Sequence, residues 1–297
     1  MRNFLQLLKF VNTHPLTKKN KLNTLLRIIK WQIISKLYPI AFVLPFIEDS
    51  KLIVKKGMTG ATGNLYSGLH EFEDMAFLLH FLREEDLFGD IGANIGSYTV
   101  LASGVVKAKS IAVEPIPTTF NHLKHNIQIN DLELLVTSYN KGAGASNGSL
   151  LFTKTLDTIN HVVAEDDIDI ENRIEVPIDT LDNIFLSLHP SLLKIDVEGF
   201  ELNVLNGGHD VLKSSELKAI IIELNDSGNR YGITDEEVHD FLLSYNFFPY
   251  SYKPFTRVLE RLPKFIGHGN TIYIKDKNFV ETRVNNSRKY SVLGKTF

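Results

Sequence analysis

The chain has 297 residues, a formal net charge of −3, 43% hydrophobic residues and 23% charged residues. These values are typical of a globular protein that can bury a sizeable core. Cysteine is absent from the sequence, which excludes disulfides, thiolate catalysis and cysteine-ligated zinc or iron–sulfur sites. We find no apolar run near the roughly 20 residues of a spanning helix and no secretory-signal pattern. We therefore expect a cytoplasmic protein.

The N-terminal part of the chain differs in charge from the rest. Residues 1–47 contain no Asp or Glu, and apolar positions recur at helical spacing over residues 1–36. A basic helical arm is therefore predicted over residues 1–49. Two interpretations stay open. The arm packs on the main domain with its lysines in solvent, which we favour, or it makes peripheral contact with the anionic inner surface of a membrane.

From residue 50 to residue 276, strand and helix patterns alternate. This alternation indicates βαβ units in one α/β domain, with a mostly parallel sheet and helices on both faces. The strands predicted for this seven-stranded sheet are Leu87–Ile91, Ser110–Glu114, Leu134–Tyr139, Leu192–Val197, Lys218–Leu224, Pro249–Tyr252 and Thr271–Ile274.

Three segments do not follow this alternation. Gly57–Gly68 is rich in glycine and is predicted to be a loop. Residues 146–178 are predicted to form an inserted hairpin with an acidic tip, and residues 277–297 a polar, basic tail that frays. The acidic residues of the tip are Glu165, Asp166, Asp167, Asp169 and Glu171.

A glycine-containing turn follows the first core strand in the segment LFGDIGANIG. Glycines at a strand-to-helix turn let a ligand approach the backbone beside the helix N-terminus. The spacing of Gly89, Gly92 and Gly96 differs from the G-x-G-x-x-G of dinucleotide sites. A carboxylate at Asp90 would repel a pyrophosphate but attract the cationic groups of S-adenosylmethionine, by roughly 1 to 4 kcal/mol at about 4 Å. The turn favours S-adenosylmethionine, with an NAD-dependent oxidoreductase as the alternative.

Acidic residues end two further strands. Glu114 follows the second core strand, where Rossmann-type folds hold an acid that binds the ribose hydroxyls. The segment LLKIDVEGFELNVLNGG ends a buried strand in Lys194, Asp196 and Glu198. Because ligands bind at the carboxyl ends of parallel strands, these groups should face the same crevice as Asp90.

Four segments together resemble the FkbM family of S-adenosylmethionine-dependent methyltransferases: GDIGANIG, AVEP, KIDVEGFE and NTIYIKD. The sequence GLHEFEDMAFLLHFLR, which precedes the glycine turn, is similar to that family's lead-in helix. The resemblance covers roughly residues 50–276. It implies a Rossmann-like class I methyltransferase fold and, typically, O-methylation of sugar or macrolide hydroxyls. We expect the acceptor to be a hydroxyl of a sugar, glycan or related small metabolite.

The resemblance also implies roles for individual residues. It places Asp90, Gly92, Asn94, Gly96 and Glu114 at the cofactor, and Lys194, Asp196 and Glu198 in the catalytic signature. We also assign Glu71, at the start of the lead-in helix, to the cofactor site.

A sugar hydroxyl is a weak nucleophile at neutral pH, so a general base should accelerate transfer by about 10²–10⁴-fold. We predict that Asp196 or Glu198 is this base. An alternative uses Asp196, Glu223 and Asn225 as oxygen ligands for Mg²⁺. We favour the metal-free interpretation, because acids at strand ends more often cap loops.

The acceptor site is predicted to include Asn225, His70, Tyr252 and Arg257. Tyr252 and Arg257 belong to an aromatic and basic cluster that could stack on a sugar ring, with packing in the sheet edge as the alternative. Nucleic acid is not an expected partner, because the basic charge lies in the arm. The competing functional class is a non-catalytic membrane-surface or scaffold protein with the same fold, which the intact acids disfavour.

Overall fold

The computed structural model describes residues 2–154, 160–164 and 172–297. The helices are α1 (Arg2–Thr13), α2 (Lys21–Leu37), α3 (Thr59–Ser67), α4 (Phe72–Phe81), α5 (Ser97–Thr99, continued by a π-helix over Val100–Val106), α6 (Pro117–Gln128), α7 (Leu181–Phe185), α8 (Glu201–Asn206), α9 (His209–Lys213), α10 (Asp235–Ser244) and α11 (Lys277–Asn285). The strands are β1 (Phe42–Pro45), β2 (Lys51–Val54), β3 (Leu87–Ile91), β4 (Lys109–Val113), β5 (Val136–Tyr139), β6 (Gly142–Ala143), β7 (Gly148–Thr153), β8 (Arg173–Asp179), β9 (Leu192–Ile195), β10 (Ala219–Leu224), β11 (Phe248–Lys253), β12 (Val258–Arg261), β13 (Gly269–Ile274), β14 (Ser291–Val292) and β15 (Lys295–Thr296).

Within the described residues, the central sheet has eight strands in the order β12-β11-β13-β10-β9-β3-β4-β5. The strands from β10 to β5 run parallel, and β13 is antiparallel to both β10 and β11. The chain runs outward from β3 through β4 to β5 and then returns to β9, so the strand order reverses between β3 and β9. In open α/β sheets, ligands bind at such a reversal, outside the carboxyl ends of the strands.

The predicted Rossmann-like α/β fold is confirmed, with one strand more than the seven expected. The additional strand, β12, pairs antiparallel with β11 at the edge of the sheet. Only Leu259 of this strand is buried, so the alternation of apolar and polar residues that reveals a half-buried strand is missing.

Hydrophobic residues cover both faces of the sheet. Neighbouring strand residues point to opposite faces: Leu192 and Ile221 join one core cluster, whereas Leu193 and Ile222 join the other. α4 packs in the first cluster, and α8 and α10 pack in the second. The strands are therefore buried on both faces, as expected for parallel strands covered by helices.

The glycine-rich segment is a helix, α3, and the predicted loop is wrong. Tertiary contacts explain the helix, since packing routinely overrides low propensity. A Cβ on Gly63 would lie 2.5 Å from Nδ1 of His70, so the glycine allows this histidine to pack closely. Asn64 also donates from Nδ2 to Ser97 Oγ at 3.1 Å and accepts at Oδ1 from the His70 amide at 2.8 Å.

The N-terminal arm is helical and packs on the main domain. Val11 and Leu16 are buried, and Nε2 of His14 lies 3.1 Å from the carbonyl oxygen of His70. The arm also supplies β1, which pairs antiparallel with β2. Across the described residues, none of the helices has the length and apolar character needed to span a membrane.

The C-terminal residues do not fray, so that prediction is wrong. Val280 and Val284 are spaced one helical turn apart in α11, and both are fully buried. Arg283 pairs with Asp86, and Phe297 is buried in the same cluster as α4. The apolar residues of this polar segment face the core, so residues 277–297 are part of the domain.

The inserted segment contains the expected hairpin. β7 and β8 pair antiparallel, and β6 adds to β8 in parallel. Phe152 and Val176 on these strands are buried in a separate small cluster. The acidic tip predicted at residues 165–171 lies outside the described residues.

Candidate active site

A cavity of about 340 Å³ lies at the carboxyl ends of β3, β4, β9 and β10, within the usual range of small-molecule sites. It occupies the place where the strand order reverses, as expected for this fold. Residues from α3 and from the inserted hairpin complete its wall. Of the residues predicted from the sequence, the cavity brings together His70, Glu71, Asp90, Gly92, Asn94, Glu114, Lys194, Asp196, Glu198 and Asn225.

The turn from β3 into α5 requires left-handed backbone at Gly92 (φ 81°), Asn94 (φ 51°) and Gly96 (φ 87°). Gly92 meets a second constraint, because a Cβ on this residue would lie 1.8 Å from the carbonyl oxygen of Asp196. Gly96, predicted at the cofactor, instead packs against the next helix: its Cβ would lie 2.5 Å from Leu123 Cδ1. Gly92 and Asn94 thus form the cavity side of the turn, and Gly96 supports it.

Asp90 is buried at the end of β3 and is held by the helix that follows. Its Oδ2 accepts hydrogen bonds from the amide of Thr99 at 3.0 Å and from Thr99 Oγ1 at 2.6 Å. Burial raises the pKa of Asp90 to about 6, although the bonds from Thr99 oppose the shift. At neutral pH the group is mainly a carboxylate in a fixed orientation at the wall of the cavity.

Glu114 connects the glycine turn to the loop after β4. Its Oε2 accepts from the Asn94 amide at 3.0 Å, and its Oε1 accepts from the Ile116 amide at 2.9 Å. Burial raises the pKa of Glu114 to about 7. The two amides fix the carboxyl group, and each oxygen retains a lone pair for a further donor.

Buried Lys194 forms an ion pair with the partly exposed Asp196 at the end of β9. Lys194 Nζ donates to Asp196 Oδ2 at 3.0 Å and lies 5.6 Å from the ring centre of Tyr98. Burial alone would lower the pKa of Lys194, but the negative charges around it, first that of Asp196, raise it above its usual range. Burial would raise the pKa of Asp196, but Lys194 lowers it. Lys194 therefore stays protonated and positions Asp196.

Glu198 and Glu223 complete an acidic group around Asp196. One carboxylate oxygen of each residue lies within 4.8 Å of the other two. Burial and the charge of Asp196 raise the pKa of Glu223 to about 9, so Glu223 is protonated at neutral pH and is hydrogen-bonded to Asp196. Burial, followed by the charges of Asp196 and Glu201, raises the pKa of Glu198 to about 7. Glu198 also has left-handed backbone, with φ 55°, which is uncommon outside glycine.

Asn225 lines the cavity, but its carboxamide is used locally. Asn225 Oδ1 accepts from the Ser227 amide at 3.0 Å. Asp196, Glu198 and Glu223 bring carboxylate oxygens together, and Asn225 lines the same cavity beside them. Lys194 balances the charge of Asp196 through their ion pair at 3.0 Å.

His70 and Glu71 close the cavity from the start of α4. Glu71 accepts at Oε2 from the Tyr98 hydroxyl at 2.9 Å and at Oε1 from Asn270 Nδ2 at 2.7 Å. His70 Nδ1 is buried and has no hydrogen-bond partner among the residues that the structure describes. Burial lowers the pKa of His70, so its ring is neutral at neutral pH.

Tyr252 and Arg257 lie away from the cavity, and their predicted role in acceptor binding is wrong. Tyr252 is buried in the core, and its hydroxyl is 2.6 Å from Nδ1 of His80. Arg257 donates to the backbone carbonyls of Asn285, Ser287 and Arg288. These contacts hold the C-terminal residues against the edge of the sheet. Tyr252 and Arg257 therefore serve packing at the sheet edge, the alternative to stacking on a sugar ring.

Sequence reasoning missed part of the cavity wall. Asn64 and Tyr98 contribute polar groups, and Phe152, Val162 and Phe200 form an apolar end. Asn64 lies in the segment interpreted as a loop. The apolar residues meet only through the inserted hairpin, so their proximity has no local sequence signal.

Residues 90–249 match the family model described as the methyltransferase FkbM domain, a segment that covers more than half of the chain. The chain belongs to the FkbM methyltransferase family. The matched segment runs from the end of β3 to the start of β11 and so contains the glycine turn, Glu114 and the acidic group. The FkbM resemblance predicted from the four motifs is confirmed.

Two curated proteins are similar to this FkbM-family chain. Hexuronic acid methyltransferase AglP of Haloferax volcanii is 29% identical over 160 residues, which cover 52% of this chain and 62% of that protein. Methyltransferase sdnD of Sordaria araneosa is 24% identical over 169 residues, covering 46% and 65%. The chain thus spans less than two thirds of either relative. Among solved structures, a methyltransferase FkbM from Methylobacillus flagellatus KT aligns with a TM-score of 0.45 and 15% identity, over 85% of this chain and 60% of that one.

Proposed function

We propose that this chain transfers the methyl group of S-adenosylmethionine to a hydroxyl of a sugar, glycan or related small metabolite. One observation carries the proposal: a single cavity is lined both by the glycine turn with Glu114 and by the Lys194–Asp196–Glu198–Glu223 group. Membership of the FkbM family supports it and removes the ground for the oxidoreductase alternative.

The residues present fit S-adenosylmethionine. The donor carries positive charge on its sulfonium and its ammonium, and the cavity wall carries the acidic groups of Glu71, Asp90 and Asp196. Residue 92 must be glycine, because a Cβ there would collide with the backbone of Asp196. The turn therefore presents backbone and no side chain at residue 92. Glu114, fixed by two amides, would accept from the ribose hydroxyls.

We assign the general base to Glu198. When bound, S-adenosylmethionine supplies a methyl group already activated by its sulfonium, so the protein must mainly align the acceptor oxygen and remove its proton. A base works best when its pKa lies near the working pH, and the pKa of Glu198 is about 7. Asp196 is a weaker base, because Lys194 lowers its pKa. Glu198 takes the hydroxyl proton as the oxygen–methyl bond forms and the carbon–sulfur bond breaks.

The acceptor assignment combines the cavity with a relative. AglP is named a hexuronic acid methyltransferase, which supports a sugar acceptor. The acidic groups around Glu198 would repel an acceptor carboxylate, because like charges in a partly buried site are costly. We therefore favour a neutral hydroxyl as the methylated group.

To test this proposal, the protein is incubated with methyl-labelled S-adenosylmethionine and a panel of acceptors. The panel contains neutral glycosides, hexuronic acids, glycolipids and nucleotide sugars. The expected product is an ether, whose label survives mild base. A base-labile label would identify a methyl ester and overturn the hydroxyl assignment. No transfer to any acceptor, with the donor bound, would favour the non-catalytic alternative.

A further inference from the structure

Helix α2 exposes a stripe of large apolar side chains on the side that faces away from the domain. The exposed fractions of these side chains lie between 53% and 70%, and they are Leu22, Leu26, Ile29, Ile33 and Leu37. Because an α-helix turns about 100° per residue, these five positions fall within an arc of about 80°. The opposite face is buried through Ile28 and Trp31. The stripe is therefore not the face that holds α2 to the domain.

The exposed apolar surface continues along the chain after α2. Tyr38 and Ile40 are each 59% exposed, and Val43 of β1 is 54% exposed. We call the stripe and these three residues the apolar ridge. Single exposed apolar side chains are ordinary, whereas a sustained apolar surface of this kind marks an interaction site.

Positive charge borders the apolar ridge. Residues 1–47 contain no Asp or Glu, while Lys18 and Lys19 are exposed just before α2. Lys30 and Lys36 are also exposed, and helical geometry places them on opposite borders of the stripe. An anionic surface with an apolar interior complements this arrangement. A second copy of α2 would bring lysines against lysines, which is unfavourable.

We propose that α2 lies in the plane of an anionic lipid bilayer, with the apolar ridge at the boundary between head groups and acyl chains. Basic amphipathic helices bind membranes in this orientation. The lysines on the borders of the stripe then lie at the level of the lipid phosphates, where each adds electrostatic attraction. The main domain stays outside the bilayer, because Ile28 and Trp31 remain packed against it.

Helix α3 connects this face of the molecule to the cavity. On the side towards α2, Arg27 Nη1 donates to the Tyr66 carbonyl oxygen at 2.9 Å, and Gln32 Nε2 donates to the Tyr66 hydroxyl at 3.0 Å. Asn64 of the same helix lines the cavity. One layer of helix, about 10 Å across, therefore lies between the proposed membrane face and the cavity. The membrane proposal does not depend on the chemistry proposed for the cavity.

The test measures co-sedimentation of the full chain with vesicles of phosphatidylcholine and phosphatidylglycerol, and with vesicles of phosphatidylcholine alone. The ridge variant combines Leu26→Ser, Ile29→Ser and Ile33→Ser. Its control combines Leu134→Ser, Leu186→Ser and Leu188→Ser, three leucines that are also exposed but lie outside the arm. The single tryptophan, Trp31, is buried on the domain side of α2, so unchanged emission shows that the helix remains packed.

We expect the wild type and the control to bind the anionic vesicles, with binding that weakens as salt rises. The ridge variant should bind at least about tenfold more weakly, because three apolar side chains no longer leave water. Equal binding by the ridge variant and the wild type would overturn the proposal. Absence of wild-type binding to anionic vesicles would overturn it as well. If the wild type, without binding vesicles, forms a dimer that the ridge variant cannot form, the ridge is a protein interface and the membrane proposal is wrong.

Discussion

Gly92 lies against the backbone of Asp196 so closely that a Cβ on residue 92 would be 1.8 Å from the Asp196 carbonyl oxygen. The Asp196 amide also donates to the Ile91 carbonyl oxygen at 3.0 Å. These contacts join the turn after β3 to the acidic loop after β9. The part of the cavity assigned to the donor and the part assigned to proton transfer therefore share one backbone framework.

Gly92→Ala should weaken both parts of the site. The substitution combines positive φ with a clash against backbone, and we expect it to destabilise the fold by roughly 2 to 4 kcal/mol. Gly232→Ala is the matched control, since Gly232 has φ 70° but open space around its Cβ, and should cost only about 1 kcal/mol. Urea unfolding measures both, and equal losses would show that the contact with Asp196 is unimportant.

Glu198→Gln should reduce turnover by about 10²–10⁴-fold, because the amide cannot accept the hydroxyl proton. Affinity for S-adenosylmethionine should change little. Glu133→Gln, an exposed residue far along the chain from the cavity motifs, controls for the loss of a negative charge. Single-turnover rates and donor titrations separate the two effects, and unchanged turnover in Glu198→Gln would remove the assignment.

The pH dependence of turnover gives a separate test of the same group. The base must be deprotonated, so the rate should be low at acid pH and rise as the pH passes the pKa of Glu198, about 7. The rate should then level off. In Glu198→Gln the rise of the rate with pH should disappear, leaving a rate that is low at every pH. If the rate of this variant still rises near pH 7, the rise belongs to the titration of another group.

The stability of the protein should fall as the pH rises from 6.5 to 9. Burial raises the pKa of Glu114 and Glu198 to about 7 and that of Glu223 to about 9. A raised carboxyl pKa stabilises the fold at low pH, and this stability is lost as the pH rises through the folded-state pKa. His14 and His80, with pKa values lowered to about 4, affect stability only below about pH 6.5.

Unfolding free energies across this pH range check the prediction. Glu223→Gln should flatten the decline above pH 7, since the amide imitates the protonated carboxyl group whose pKa is about 9. Stability that rises from pH 6.5 to 9, or a slope that Glu223→Gln leaves unchanged, would contradict this description of the acidic group.

Removal of divalent cations should leave turnover unchanged. The charge of Asp196 is balanced by Lys194 at 3.0 Å, so we expect the group to act without a cation. Activity is measured before and after exhaustive chelation. As a control, Mg²⁺ free of other metals is added back to the chelated protein and activity is measured again. A loss that Mg²⁺ restores would favour the metal-assisted alternative.

The order of the core elements and most of the cavity follow from local sequence patterns. β3 has the predicted limits, and Asp90, Glu114 and Asp196 reach one cavity because parallel strands end at one edge of the sheet. Tyr252 and Arg257 were misplaced for a different reason. Their residue types suit a sugar site equally well, and only tertiary packing shows that their partners are His80 and the backbone of residues 285–288.

Other errors also come from contacts between distant segments. The glycine-rich α3 is helical because Gly63 and Asn64 pack against His70. The C-terminal residues are ordered because Val280 and Val284 reach the core. The apolar stripe of α2 has the opposite character: its spacing is visible in the sequence, but only the structure shows which of the two apolar faces of the helix is left exposed.

Calorimetric titration of S-adenosylmethionine into the wild type and into Glu114→Gln tests whether the cavity binds the methyl donor and whether Glu114 holds its ribose. Saturable binding to the wild type is expected, and Glu114→Gln should bind about tenfold or more weakly, because the carboxyl group that accepts from the ribose hydroxyls is replaced by a carboxamide. Circular dichroism of the variant confirms that it is folded. No heat of binding at saturating donor, or equal affinity in the two proteins, would contradict the account.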